Sequence, residues 1–272
     1  MRHHPVTAFA LVAAALMAAS GAASVATAEI LREQSDLSFE ISGWKVLELD
    51  NARGSVAVRR SPDNRVHLVA LKIVRGGDRK HAEQIAGQID VTTEQSGDRF
   101  IVTAHYPPRT DIQIGFWDML SGNEFPRAEL RLEVEAPEAL PVRLLSTSGD
   151  LSTEDRVGPQ TFETHSGDIK VRRARGPLEA TTTSGDVQLG LRAPLRSVEI
   201  QTSNGDVKID LARGLGCALD LRTTSGTLDV GVPMVLRGAD RHAMAGSIAG
   251  GGTPLTVRTS SGDVTVTSGA GR

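Results

Sequence analysis

The sequence predicts a mainly β, single-domain β-solenoid, with parallel stacked coils of about 18–21 residues behind an N-terminal cap of strands and one short helix. Three observations carry this. A glycine-centred phrase returns six times in the second half of the chain: T-S-G-D-L at Thr147–Leu151, H-S-G-D-I at His165–Ile169, T-S-G-D-V at Thr183–Val187, S-N-G-D-V at Ser203–Val207, T-S-G-T-L at Thr224–Leu228 and S-S-G-D-V at Ser260–Val264. Its glycines (Gly149, Gly167, Gly185, Gly205, Gly226, Gly262) are 18, 18, 20, 21 and 36 residues apart, and self-similarity at such a period marks stacked structural units. Apolar and polar residues alternate on both sides of each glycine, the period of two that belongs to strands with one buried face.

In chain order, residues 1–28 read as a signal peptide. Arg2, His3 and His4 precede an apolar run from Ala8 to Ala19, and Ala26-Thr27-Ala28 is a small-x-small cleavage site. That run is about half of the roughly 20 residues a bilayer-spanning helix needs, and no later stretch reaches that length. The chain is therefore expected to be exported (to the periplasm, the cell surface or the medium) and not membrane-spanning. A formal net charge of −3 gives no basic footprint for nucleic acid. Cys217 is the single cysteine, so no internal disulfide can form, and it reads as a small buried residue.

Residues 29–135 read as an N-terminal β-rich cap. Trp44–Asp50, Gly54–Arg60 and Arg65–Val74 have strand character, with turns at 51–53 and 61–64. A helical stretch opens at Asp78 and runs to about Gln88, with His81, Ile85 and Ile89 at helical spacing. Strands follow at Ile89–Thr93, Arg99–His105 and Ala128–Glu135. Asn51–Val56 (N-A-R-G-S-V) reads as a worn copy of the repeat, and Ser96-Gly97-Asp98 echoes it. Tyr106–Pro126 is an irregular excursion carrying many of the chain's few aromatics. A solenoid needs capped ends, because an open edge strand invites aggregation.

Residues 136–272 are the repeat solenoid, continuous with the cap. Seven and five residues before the glycines stand Val142/Leu144, Gln160/Phe162, Leu178/Ala180, Val198/Ile200, Leu219/Leu221 and Leu255/Val257. Three before stands a hydroxyl residue each time: Ser146, Thr164, Thr182, Thr202, Thr223, Thr259. Two and four after stand pairs such as Ile169/Val171 and Val207/Ile209, with a polar residue between them. Each unit is thus strand, tight S-G-D turn, strand and link, and Gly158-Pro159 and Gly176-Pro177 punctuate two links. The six glycines are expected at positive φ, with the neighbouring Ser and Asp (Asp150, Asp168, Asp186, Asp206, Asp263) hydrogen-bonded to nearby amides to hold the corner. In a solenoid the two arms are walls of one coil. In the alternative, stacked antiparallel β-hairpins, they pair with each other, and Asn204-Gly205 suits such a turn. The near-constant period and the hydroxyl column favour the coil. The 36-residue step holds a degenerate repeat or an insertion, Gly231–Gly252.

The opening V-L-E-L-D-N-A-R-G-S-V-A-V, the strand-helix-strand after it, the V-E-A-P-E before the first coil, the serial T-S-G-D-V phrases and the ending G-G-G-T-P-L-T-V-R-T-S-S-G-D-V-T-V resemble the bacterial putative-adhesin repeat domain, a β-solenoid family of unknown function. The resemblance covers Val46 to Val266 and implies an exported β-solenoid; it implies no common activity or catalytic residues. Thr227 departs from the pattern by replacing the turn Asp, and His165 by replacing the usual hydroxyl residue.

The Asp column is the natural suspect for a metal, since stacked coils would set its charges about 5 Å apart, with a repulsion near 1 kcal/mol per neighbour in water. The calcium nonapeptide pattern is missing, however, and Thr227 interrupts the column, so no metal or cofactor is expected. For catalysis the candidates are Glu163, His165 and Glu179 on neighbouring coils, which read more simply as outward residues of a solvated wall. No residue is assigned a catalytic role, and the protein is not expected to be an enzyme. The reading is a non-catalytic cell-envelope or surface module for binding, adhesion or scaffolding, whose partner is an envelope protein, a glycan or another copy. Its candidate contacts are where regularity breaks: Phe116, Trp117 and Met119 in one excursion, and Met234, Arg237 and Arg241 in the other. The alternative is a polysaccharide-active β-helix enzyme.

Overall fold

The computed structural model describes residues 30–75, 79–107 and 127–269. The expected signal peptide and the contact candidates Phe116, Trp117 and Met119 lie outside the described residues.

The N-terminal part supplies β1 (Ile30–Glu40), β2 (Val46–Asn51), β3 (Val56–Arg60), β4 (Arg65–Arg75), α1 (Arg79–Gln88), β5 (Asp90–Ser96), β6 (Arg99–His105) and β7 (Arg127–Ala136). Each repeat then divides at its glycine. The arms before the glycine are β8 (Val142–Ser146), β10 (Gln160–Ser166), β12 (Leu178–Ser184), β14 (Val198–Asn204), β16 (Cys217–Ser225) and β20 (Thr253–Ser261). Those after it are β9 (Leu151–Glu154), β11 (Ile169–Ala174), β13 (Val187–Leu191), β15 (Val207–Leu211), β17 (Leu228–Val230) and β21 (Val264–Ser268). The insertion contributes β18 (Met234–Ala239) and β19 (Ala243–Ile248).

The two arms of a repeat never pair with each other. β10 pairs in parallel with β8 and β12, while β11 pairs in parallel with β9 and β13. One sheet runs β1-β4-β7-β3-β9-β11-β13-β15-β21-β17 and the other β18-β19-β16-β20-β14-β12-β10-β8-β2-β6-β5. The chain therefore winds as a two-walled β-solenoid, and the hairpin array is excluded. A parallel ladder leaves every interior strand paired on both sides, and alternation sends every second side chain into the space between the walls. That space is one continuous core from Trp44 to Val266, with Phe162, Leu144, Ile169, Ile200 and Val257 among its fully buried members.

The order of coils in space is not their order in sequence. β2 and β3 form a coil of their own, pairing with β8 and β9, so the worn copy at Asn51–Val56 is a working corner. β6 and β7 pair in parallel with the other sides of β2 and β3 and so lie further out, although they come later in the chain. The far end mirrors this. β20 and β21, last in sequence, lie between β14/β15 and β16/β17.

Beyond the outer coils the strands turn antiparallel. β4 and then β1 extend one sheet past β7, and β5 closes beside β6. α1 lays Ala82, Ile85 and Ala86 against Val74 in a small second cluster. At the other end Gly231–Gly252 forms a hairpin: β19 pairs antiparallel with β16, and β18 with β19, with a register shift between Leu236 and Gly238 that leaves Arg237 in a bulge. The excursion expected there is an added sheet edge, built by the M-V-L-R-G-A and A-M-A-G-S-I segments.

Candidate functional site

The recurring chemistry of the repeat sits at the corner, where it serves stacking. Only Gly185, Gly205 and Gly262 of the six corner glycines have positive φ, near +154°. Dihedral freedom alone therefore does not explain the column. What the six share is a close approach: a Cβ on any of them would overlap the carbonyl oxygen of the glycine one coil away, Gly54 beneath Gly149 and so on up to Gly262 beneath Gly226. The hydroxyl column lies just inside. Ser146 Oγ donates to the Asn51 carbonyl at 2.8 Å, and Thr223 Oγ1 to the Gly262 carbonyl at 3.2 Å.

The Asp column reaches across coils instead of capping its own turn. Asp150 Oδ1 accepts from the Asp168 amide at 3.0 Å, Asp168 from Asp186 at 2.9 Å, Asp186 from Asp206 at 2.9 Å, and Asp206 from Asp263 at 3.0 Å. Asp263 Oδ1 then accepts from the Thr227 amide at 2.7 Å. The Thr227 amide and hydroxyl together hold the Asp263 carboxyl below the usual carboxylate range. Thr227 belongs to the outermost coil and has no corner above it to serve, which is why an aspartate is dispensable there. One oxygen of each aspartate is thus engaged by an amide, and among the described residues no group of three or more His, Cys, Asp or Glu is placed to hold a metal. Thermal melts with calcium and with chelator should overlay. A stabilisation of several degrees by sub-millimolar calcium, lost on Asp168→Asn with Asp186→Asn, would contradict this.

The acids considered for catalysis do not converge. Glu163 on β10 stands opposite Thr181, and Glu179 on β12 opposite Thr161, so the two occupy different columns of the outer face. Glu163 is bound to Arg143 at 2.7 Å and, with the exposed His165 and with Asp50, lines an open hollow of about 430 Å³ that Glu179 does not reach. Cys217 is buried, and burial pushes its thiol up, away from the reactive thiolate.

Three other surface features stand out among the described residues. On the outer face of the β8–β20 sheet, Gln201, Arg222, Arg258 and the hairpin residues Asp240 and His242 line a cleft of about 620 Å³. On the outer face of the opposite sheet, Lys170, Arg172, Gly190 and Lys208 line a trough of about 440 Å³. The third is the hairpin, which gathers the candidates Met234, Arg237 and Arg241. Met234 is half-buried against the core, whereas Arg237 and Arg241 are exposed. Between them Val235 is 70% and Leu236 56% exposed, the large apolar side chains left in solvent among the described residues. Sequence reasoning missed this pair and the trough, because neither is marked by a motif.

A family model described as Toastrack DUF4097 matches residues 130–267, just over half of the chain. Among solved structures, a putative cell adhesion protein from Clostridium sporogenes ATCC 15579 shares 11% identity over 88% of this chain and 100% of its own, with a TM-score of 0.51. A putative adhesin from Bacteroides fragilis NCTC 9343 shares 12% identity over 86% and 97%, with a TM-score of 0.42. A putative lipid binding protein from Parabacteroides distasonis ATCC 8503 shares 13% identity over 86% and 96%, with a TM-score of 0.32. No curated protein matches the sequence. The likeness to the Clostridium sporogenes protein, at that identity, is one of fold alone. The matched region runs from within β7 to within β21 and holds all six S-G-D-type corners, and on that match the chain belongs to the Toastrack DUF4097 family.

Proposed function

We propose that the protein is an exported, non-catalytic binding module of the cell envelope, and that the β18–β19 hairpin is its contact element for a partner protein. The observation that carries this is the state of β18. It is the outermost strand of its sheet, it pairs only with β19, and five of its six residues are exposed, so both of its faces meet solvent. An edge strand with free backbone groups and apolar side chains is a template for adding another strand.

Charge selects the occupant. Arg237 and Arg241 make no ion pair among the described residues, and Asp240 is turned to its own loop, accepting from the His242 and Ala243 amides at 2.8 and 2.7 Å. An extended apolar strand flanked by carboxylates complements this edge, whereas a second copy would bring arginine towards arginine. The leader-like residues 1–28 support export. The name of the Clostridium sporogenes protein agrees with a surface role. The separation of Glu163 from Glu179, with Glu163 held by Arg143, supports a non-catalytic reading.

A photo-crosslinking residue in place of Leu236 tests the contact in cells. The expected adduct is with one protein other than this chain, maps to an apolar segment with Asp or Glu neighbours, and disappears on Arg237→Glu with Arg241→Glu. An adduct of two copies, or none, would overturn the contact. Turnover of a polysaccharide by purified protein, abolished by Glu163→Gln or Glu179→Gln, would overturn the non-catalytic reading.

A further inference from the structure

Gly190 is a glycine that the fold does not require. It is the fourth residue of β13, outward-facing between the buried Leu189 and Leu191. Its φ lies outside the left-handed range, and a Cβ there would meet only ordinary contacts, the nearest being the Arg173 nitrogen at 3.5 Å. A glycine inside a strand is destabilising by roughly 0.5–1 kcal/mol relative to alanine. It often marks a place where a ligand approaches the backbone.

The missing side chain does open something. It forms the floor of the 440 Å³ trough, between Arg172 on β11 and Asp210 on β15. In the adjoining column Lys170, Gln188 and Lys208 are in register on β11, β13 and β15. The two lysines therefore flank the hollow about 10 Å apart, at two strand spacings. Nearby cations are neutralised: Arg173 by Glu154 at 2.7 Å and by Asp155, and Arg192 by Asp210 at 3.7 Å. Lys170, Arg172 and Lys208 make no ion pair or side-chain hydrogen bond among the described residues. Three cations without an ion pair thus surround a hollow with bare backbone at Gly190, in a chain of net charge −3, and the Asp210 carboxylate that also lines it is held by Arg192 at 3.7 Å. The strand is also irregular beside it, since the β11–β13 register shifts between Val171 and Ala174 and Arg173 has φ of 54°.

We infer that this trough binds a phosphoryl group, with Lys170, Lys208 and Arg172 as its charged donors, Gln188 as a neutral one and Gly190 left bare to admit it. Ammonium and guanidinium groups reaching in from several strands suit an oxyanion of more than one charge. The site lies on the sheet opposite the hairpin's and stands apart from the reading of β18.

The test uses two probes, inorganic tripolyphosphate and vesicles containing phosphatidylglycerol, each against the full chain. Binding of either probe, weakened by salt, is expected. Tripolyphosphate binding points to a soluble phosphate, and binding of vesicles alone to a lipid headgroup. Gly190→Thr should reduce binding by about tenfold or more while leaving the melting temperature equal or higher, and Lys170→Gln with Lys208→Gln should reduce it similarly. Leu236→Asp should leave it intact. Failure of both probes to bind, undiminished binding by Gly190→Thr, or a lowered melting temperature in that variant would overturn the inference.

Discussion

Gly185→Val is expected to destabilise the protein by about 3 kcal/mol or more, because two effects add: overpacking against a backbone and an unfavourable dihedral. The new side chain would point at the Gly167 carbonyl, which is held in the next coil by its own ladder and has little room to retreat. A β-branched residue would also have to adopt φ of +154°. In a domain of this size the fall in melting temperature is roughly 6–12 °C. Gly238→Ala is the control, since nothing lies within 4 Å of its added Cβ. An unchanged melting temperature for Gly185→Val would remove the close-approach explanation of the whole column.

The second large effect concerns Arg156, fully buried in the link between β9 and β10. Its Nη1 donates to the Ala136 carbonyl at 2.8 Å and its Nη2 to the Leu140 carbonyl at 2.5 Å, tying two successive links together. Burial pulls the guanidinium down to about 10, with the Glu138 carboxylate opposing. Arg156→Ala removes the fork, strands two carbonyls and leaves a cavity, for a loss of about 3–5 kcal/mol. Arg156→Lys should recover little of it, because one ammonium lacks the planar fork that serves both carbonyls. If Arg156→Met melted with the wild type, packing and not hydrogen bonding would be the contribution of this residue.

Much of the fold was legible because each level of the sequence agrees with the next. Alternation gave the walls, glycine spacing gave the corners, and the alternation before and after Gly167 or Gly205 matches the buried faces of β10, β11, β14 and β15. The misses have physical causes. β1 lacks regular alternation, because I-L-R-E-Q-S-D-L-S-F-E is shaped by pairing along the whole of β4. Asn51 and Tyr106 replace the S-G-D logic at one corner: Asn51 Nδ2 donates to the Leu130 carbonyl at 2.7 Å and Tyr106 donates to Asn51 Oδ1 at 2.6 Å. Such long-range pairs leave no local signature. The same holds for the candidate contacts, since exposure of Val235 and Leu236 depends on where the hairpin docks.

The displaced coil at the C-terminal end changes what shortening this chain would mean. A tower of repeats that grew in chain order could shed its last storey and keep the rest. Here the final storey, β20 with β21, is a wedge set between β14/β15 and β16/β17. Removing it would leave a slot in the interior and cut β16, β17 and the hairpin off from the coils below. During synthesis the earlier strands β16 and β17 must wait unpaired on that side until β20 and β21 have been made. Closure of the stack at this end is thereby tied to the arrival of β20 and β21, not to the order in which the coils are made.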